Sequence, residues 1–118
     1  MTYKRFEDLP AWQAAAKFLL DLYAFSDQCE GHLRRRSDLR SQLERAALSI
    51  SNNIAEGFER GTTNELIAFL YIARGSAGEV RSMLCVIEML SGFEDFKSQV
   101  SNLKSQAEGH IPATSRLA

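Results

Sequence analysis

Apolar residues recur at three- and four-residue intervals along most of this chain, and the pattern runs longest without a break between Leu66 and Ile87. Leu66, Leu70, Ala73, Ala77, Val80, Leu84 and Ile87 follow a 4-3-4-3-4-3 spacing, which puts all seven on one stripe of a helix and describes a left-handed, coiled-coil-like packing seam. Thr62, three residues before Glu65, forms a capping box that opens this helix, with Thr63 as the alternative cap. Upstream, Leu39, Leu43, Ala46, Ile50 and Ile54 repeat behind Ser37. That serine is a candidate N-cap, Asp38 suits the positive helix end, and Gly57 is expected to end the segment. A first helix starting near Pro10 carries Trp12, Ala16, Leu19 and Tyr23 on one face, with Lys17 and Asp21 on its wet side. Phe96, Val100, Leu103 and Ala107 continue the spacing in a shorter fourth helix.

Gly31, Gly57, Gly61 and Gly92 fall between these segments, and no alternation of period two competes with them. The pattern therefore predicts an all-α fold, an antiparallel four-helix bundle running up-down-up-down. One domain covers residues 1–118, with helices at about 10–27, 37–56, 63–90 and 94–108. Beyond the fourth helix, Gly109 and Pro112 cannot extend it, and residues 111–118 are expected to fray.

A surface helix of a monomeric bundle should be polar opposite its seam, and the third helix is not. Ile67, Tyr71, Gly75, Gly78, Ser82, Cys85 and Met89 fall on the far side, and none is charged. Gly75 and Gly78 each cost up to ~1 kcal/mol relative to Ala in a helix interior. Because a missing side chain lets another backbone approach, Ile67, Tyr71, Gly75, Gly78, Ser82 and Cys85 are candidate oligomer-interface residues. The competing reading places this helix centrally within its own monomer. On the second helix, Gln42, Arg45, Ser49, Asn53 and Glu56 form a polar stripe beside the apolar seam. If the second and third helices are antiparallel, Arg74 and Glu79 lie at its level and Arg45 would pair with Glu79. The stripe then reads as a satisfied structural network or, alternatively, as a channel lining or ligand-contact edge.

Charge narrows the function classes. Fourteen Lys and Arg against fifteen Asp and Glu give a net charge of -1, so no global field attracts nucleic acid or an acidic membrane. Any nucleic-acid contact must be local, and Arg34, Arg35 and Arg36 in the first connection, with Arg40 one turn into the second helix, are the candidate RNA contacts. No run approaches the ~20 apolar residues that span a bilayer, and residues 1–10 lack a signal-like apolar stretch, so a soluble, unexported, cytoplasmic protein with no membrane partner is expected. Cys29 and Cys85 are expected to be free thiols. His32 and His110 sit beside glycines outside the helical pattern, without a metal partner at helical spacing, and both are expected to be solvated. No Glu-x-x-His, phosphate-loop or nucleophile-elbow motif occurs, so no catalytic residue, metal, cofactor or small-molecule substrate is assigned and an enzyme is not expected.

Two long stretches carry a family resemblance: Gln42-Leu43-Glu44-Arg45-Ala46-Ala47-Leu48-Ser49-Ile50-Ser51-Asn52-Asn53-Ile54-Ala55-Glu56-Gly57, and Phe69-Leu70-Tyr71-Ile72-Ala73-Arg74-Gly75-Ser76-Ala77-Gly78-Glu79. With Phe6 to Trp12 and Arg60 they resemble the 23S ribosomal RNA intervening-sequence proteins. The resemblance implies a helical bundle assembled as a homopentamer and implies no defined activity. Related accessory proteins of diversity-generating retroelements bind nucleic acid and are typically basic, whereas this chain has a sequence pI near 6.1. It departs from the family at Gly109-His110-Ile111-Pro112, where members usually continue a longer helix, and at Ser82, where many carry Thr. The expected function is a non-enzymatic oligomeric scaffold whose first partner is a second copy of itself; the alternative is an RNA-binding module with an arginine-rich rim.

Overall fold

A computed structural model of the chain describes residues 3–109; the expectations for His110 and for the tail from Ile111 lie outside them. Every regular element among the described residues is helical. Four long helices carry the fold: α1 (Pro10–Gln28), α2 (Ser37–Glu59), α3 (Thr63–Met89) and α4 (Lys97–Gly109). Each packs on its neighbour in sequence, and α1 closes the bundle against α4.

Cross-helix partners give the directions. Gly57 lies against Phe69 while Ser49 meets Ser76, so position falls along α2 as it rises along α3. Lys104 reaches Glu88 and Glu108 reaches Arg81, which reverses α4 against α3. Gln28 meets Gln99 and Asp21 meets Gln106, which reverses α4 against α1. These relations make the bundle up-down-up-down and put α1 and α3 at opposite corners.

The α3 seam is the centre of the core. All seven of its predicted residues are buried, each larger one contributing about 1.5–3 kcal/mol of apolar transfer. The helix opens with Thr62 as its cap: Thr62 Oγ1 accepts from the Glu65 backbone N–H at 3.2 Å, the forward half of the capping box, while the Glu65 carboxylate accepts from the Thr62 hydroxyl at 3.0 Å rather than from its backbone. Leu43, Ile50 and Ile54 of α2 are buried, and so are Val100, Leu103 and Ala107 of α4.

Four expectations need correction. In α1 the core stripe is Ala11, Ala15, Phe18, Leu22 and Phe25, whereas Trp12, Ala16, Leu19 and Tyr23 are only half-buried. Two alanines at the start of the true stripe made its neighbour look the stronger one. Ser37 is the first residue of α2 rather than its cap, because the chain enters α2 directly from helical turns at Glu30–Leu33 and Arg34–Arg36, and no side chain caps the start. Those turns also make the first connection helical rather than a loop. Gly57 does not end α2. It is buried in the helix interior, where a Cβ would meet the Phe69 Cβ at 2.5 Å, and α2 runs on to Glu59. Gly61 makes the break instead, with a φ of +89° that side chains rarely adopt. The Arg60 guanidinium, 5.0 Å from the Phe69 ring centroid, covers this corner. Finally, α4 is preceded by a tight turn at Glu94–Phe96 that the spacing merged with it.

Candidate interaction surfaces

The face of α3 opposite its core is open. Tyr71 is 56% exposed, Ile72 52%, Val86 47% and Met89 85%, a row of large apolar side chains reaching from near one end of the helix to the other. Between the two groups lie Gly75, Gly78 and Ser82, all exposed. A Cβ placed on either glycine would find no heavy atom within 4 Å, so nothing in the protomer requires glycine there. Gly57 is the contrast, since its missing side chain is explained by Phe69. Of the six expected interface residues, Tyr71, Gly75, Gly78 and Ser82 lie on this open face, while Ile67 and Cys85 are half-buried on its flank.

The polar stripe divides into two parts. Near the α2–α3 contact, Ser49 Oγ and Ser76 Oγ share a hydrogen bond of 2.9 Å, and Asn53 Nδ2 donates to the Ser49 carbonyl at 2.8 Å and to its hydroxyl at 2.9 Å. Gln42, Arg45 and Glu79 are exposed and, with Ala46 and the two serines, line an open depression of about 260 Å³. No ion pair joins Arg45 to Glu79. Glu56 turns instead to Arg60 at 2.9 Å, and Arg74 is exposed beside the open α3 face.

At one end of the bundle, the turn Arg34–Arg36 presents three exposed guanidinium groups, none in an ion pair among the described residues. Arg40 differs from them. Its guanidinium bonds Asp27 at 2.8 Å and Glu44 at 3.1 Å, so its charge ties α1 to α2 and is not free for a ligand. Beside this tie, Arg34, Ser37 and Ser41 line a depression of about 380 Å³ floored by Leu33. His32 is exposed, yet its ring packs on Phe93 and Phe96 at centroid distances of 5.5 and 5.2 Å and joins the first connection to the last.

Both cysteines are free; Cys29 is buried, and burial pushes its thiol pKa up to about 11. Lys17, hydrogen-bonded to Asp21 at 2.6 Å, holds that carboxyl below its ordinary range. Compared with known proteins, residues 7–111 match the family model described as 23S rRNA-intervening sequence protein. The chain belongs to this family. Neither the curated proteins nor the solved structures compared with it give a match.

The family match spans the open α3 face, the polar stripe and the arginine turn alike. No described helix is long and apolar enough to cross a membrane. Two residues of the open face, Ile72 and Val86, escaped the sequence reading. They stand four residues after Ala68 and Ser82 on the same outward side, so the stripe formed by residues 68, 72, 75, 79, 82, 86 and 89, in which Glu79 is the one charged member, was their available signal.

Proposed function

We propose that this family member is a non-enzymatic scaffold, a homo-oligomer that associates through the open face of α3 and presents a surface to a partner. The observation that carries this reading is the exposed set Tyr71, Ile72, Val86 and Met89 on one side of α3, with Gly75 and Gly78 and a single charge, Glu79, between them. Several large apolar side chains left exposed on one helix face favour an interaction site over a solvated surface. The two glycines give up about 1 kcal/mol each of helix propensity for no contact inside the protomer, and a closely approaching helix would offset that loss. A pentamer is the state that the family resemblance favours.

Light scattering after size exclusion tests the reading by comparing the particle with the 13.2 kDa subunit. A multiple of that mass is expected. Gly78→Leu should weaken assembly by overpacking, at a cost of roughly 1 to 3 kcal/mol, while Lys17→Ala should not. A wild-type monomer throughout the micromolar range would overturn the proposal.

A second reading, RNA binding, is favoured by the three exposed arginines of the turn Arg34–Arg36, none of which is in an ion pair among the described residues. Repeated around the rim of an oligomer, they would add weak phosphate contacts despite the subunit's net charge of -1. Fluorescence anisotropy with structured and single-stranded RNA should then show affinity falling steeply with salt. Changing all three arginines to serine should flatten that slope without altering the oligomer; equal slopes would remove the cluster from consideration.

A further inference from the structure

Beside the arginine turn, the corner between α1 and α2 holds the depression of about 380 Å³ that neither reading above has used. Arg34 stands at its edge. Ser37 and Ser41 follow three and seven residues later, and because the chain is helical from Arg34–Arg36 into α2, this spacing sets all three on one side. Both hydroxyls are exposed, and neither hydrogen-bonds to another described residue. Arg34 has no ion pair among the described residues, even though Glu30 stands four residues before it. Arg40 forms the wall behind them. Its bonds to Asp27 at 2.8 Å and to Glu44 at 3.1 Å hold it in place and occupy two carboxylates that would compete for Arg34. Leu33, 1% exposed, closes the floor.

We propose that this depression binds a single phosphate monoester, carried on the 5′ end of an RNA strand or on a free nucleotide. The proposal deepens the RNA-binding reading and rests on it only for the source of the phosphate. Donor count is the first support. A monoester presents three terminal oxygens and about -1.5 to -2 charge near neutral pH, more on both counts than the diester inside a strand. The guanidinium of Arg34 and the hydroxyls of Ser37 and Ser41 line one space and can give each of those oxygens a donor, the guanidinium through a charge-assisted bond. Size is the second support. A volume of about 380 Å³ lies at the low end of small-ligand sites, which is room for one nucleotide and not for a stretch of strand. Charge then limits the ligand. Glu30 and Glu44 offset Arg34 and Arg40, so the lining has no net charge to hold a polyphosphate, and the Glu30 carboxylate suits the hydroxyl or amino donors that accompany phosphate in a nucleotide. Arg35 and Arg36, exposed on the same turn, supply the attraction that brings an anion to this corner.

The test is fluorescence anisotropy with one short single-stranded RNA labelled at its 3′ end and made in two forms, with a 5′-phosphate and with a 5′-hydroxyl. At ~0.1 M salt the 5′-phosphate form should bind at least ~10-fold tighter. Ser37→Ala combined with Ser41→Ala removes two of the three donors at exposed positions, and circular dichroism confirms that the helices are kept. This variant should bring the two RNAs to the same affinity. Arg35→Ser combined with Arg36→Ser should instead weaken both RNAs by one factor and preserve their ratio. Adenosine 5′-monophosphate and adenosine are added as competitors. Displacement by the monophosphate and not by adenosine would extend the ligand to free nucleotides, whereas no displacement beside a 5′-phosphate preference would assign the strand end. Equal, salt-dependent affinities of the two RNAs for wild type, with no displacement by the monophosphate, would overturn the site while leaving the RNA reading in place. A 5′-phosphate preference that survives the loss of both serines would overturn its location. Calorimetric binding of the monophosphate without any binding of RNA would support the site and overturn the RNA reading. No binding of any of these probes at low salt would overturn both.

Discussion

Changing Gly57 to alanine adds one methyl group where α2 and α3 come closest. An ideal Cβ there stands 2.5 Å from the Phe69 Cβ, 3.2 Å from its Cγ and 3.3 Å from the Leu66 Cα. The first and last of these atoms are fixed to the α3 backbone and cannot swing aside, so the helices themselves must separate. Overpacking of this kind costs typically 1–3 kcal/mol. Helix propensity acts in the opposite direction, since alanine is favoured over glycine in a helix interior by about 1 kcal/mol. The packing term should win, with a net loss of roughly 1–2 kcal/mol and a melting point lower by several degrees. Gly31→Ala is the control, because a Cβ at Gly31 meets nothing within 4 Å and that substitution should be neutral or slightly stabilising. Urea denaturation of both variants and wild type at one protein concentration reads the difference. Gly57→Ala at or above wild-type stability would refute the close approach of α2 and α3 at this level.

Three further outcomes follow from the side-chain arrangement. Ser49→Ala should cost about 1 kcal/mol by removing the partner of Ser76 and Asn53, whereas Arg45→Met should stay within ~0.5 kcal/mol; equal shifts in thermal melting would dissolve the distinction drawn between the two halves of the stripe. Asp21 has its folded-state pKa lowered first by the Lys17 hydrogen bond, so its contribution is present above its unfolded pKa near ~4 and lost as pH falls through the folded value; the small stability gap between wild type and Asp21→Asn should narrow as pH falls below the unfolded value and close once the folded carboxyl is protonated, and a gap that does not narrow in acid would contradict this cause. Cys29, raised by burial to about 11, keeps its proton in the folded state while the unfolded thiol loses its own near ~8.5; stability should fall from about pH 9 upward, and alkylation of Cys29 at pH 8 should wait for unfolding, as mass spectrometry of the peptide containing it would report.

The elements that sequence described well are those in which a single physical signal dominates. α3 was legible to within a residue because its seam is unbroken and its capping box is specific. α1 was legible as a helix but not in its orientation, because two adjacent stripes share the same spacing and the bulkier one, Trp12 to Tyr23, is not the core. Gly57 was misread for a related reason. A glycine at the end of an apolar run has the same appearance whether it terminates a helix or admits a neighbouring Phe, and only the position of Phe69 separates the two. The tie from Arg40 to Asp27 was invisible because it joins two helices whose facing sides depend on the orientation of α1, whereas its partner bond to Glu44, four residues on in the same helix, lay within reach of spacing alone.

The candidate site shows the opposite balance. Its open face on α3 could be read from the scarcity of charge opposite a seam, since periodicity reports both sides of a helix at once and an outer side with Glu79 as its one charge among apolar and small residues departs from the pattern that a solvated helix should have. What periodicity could not supply is whether that side was covered by the protomer's own helices. The structure leaves it open. The second stripe of α1 differs in degree, since Trp12 and Leu19 already pack against the core and Trp12 meets the Phe6 ring at 5.3 Å, so that Leu20 alone of its large apolar residues stands clear. An isolated bundle would leave the exposed apolar side chains of α3 in water, and that standing cost is the physical reason for which association through this face was proposed.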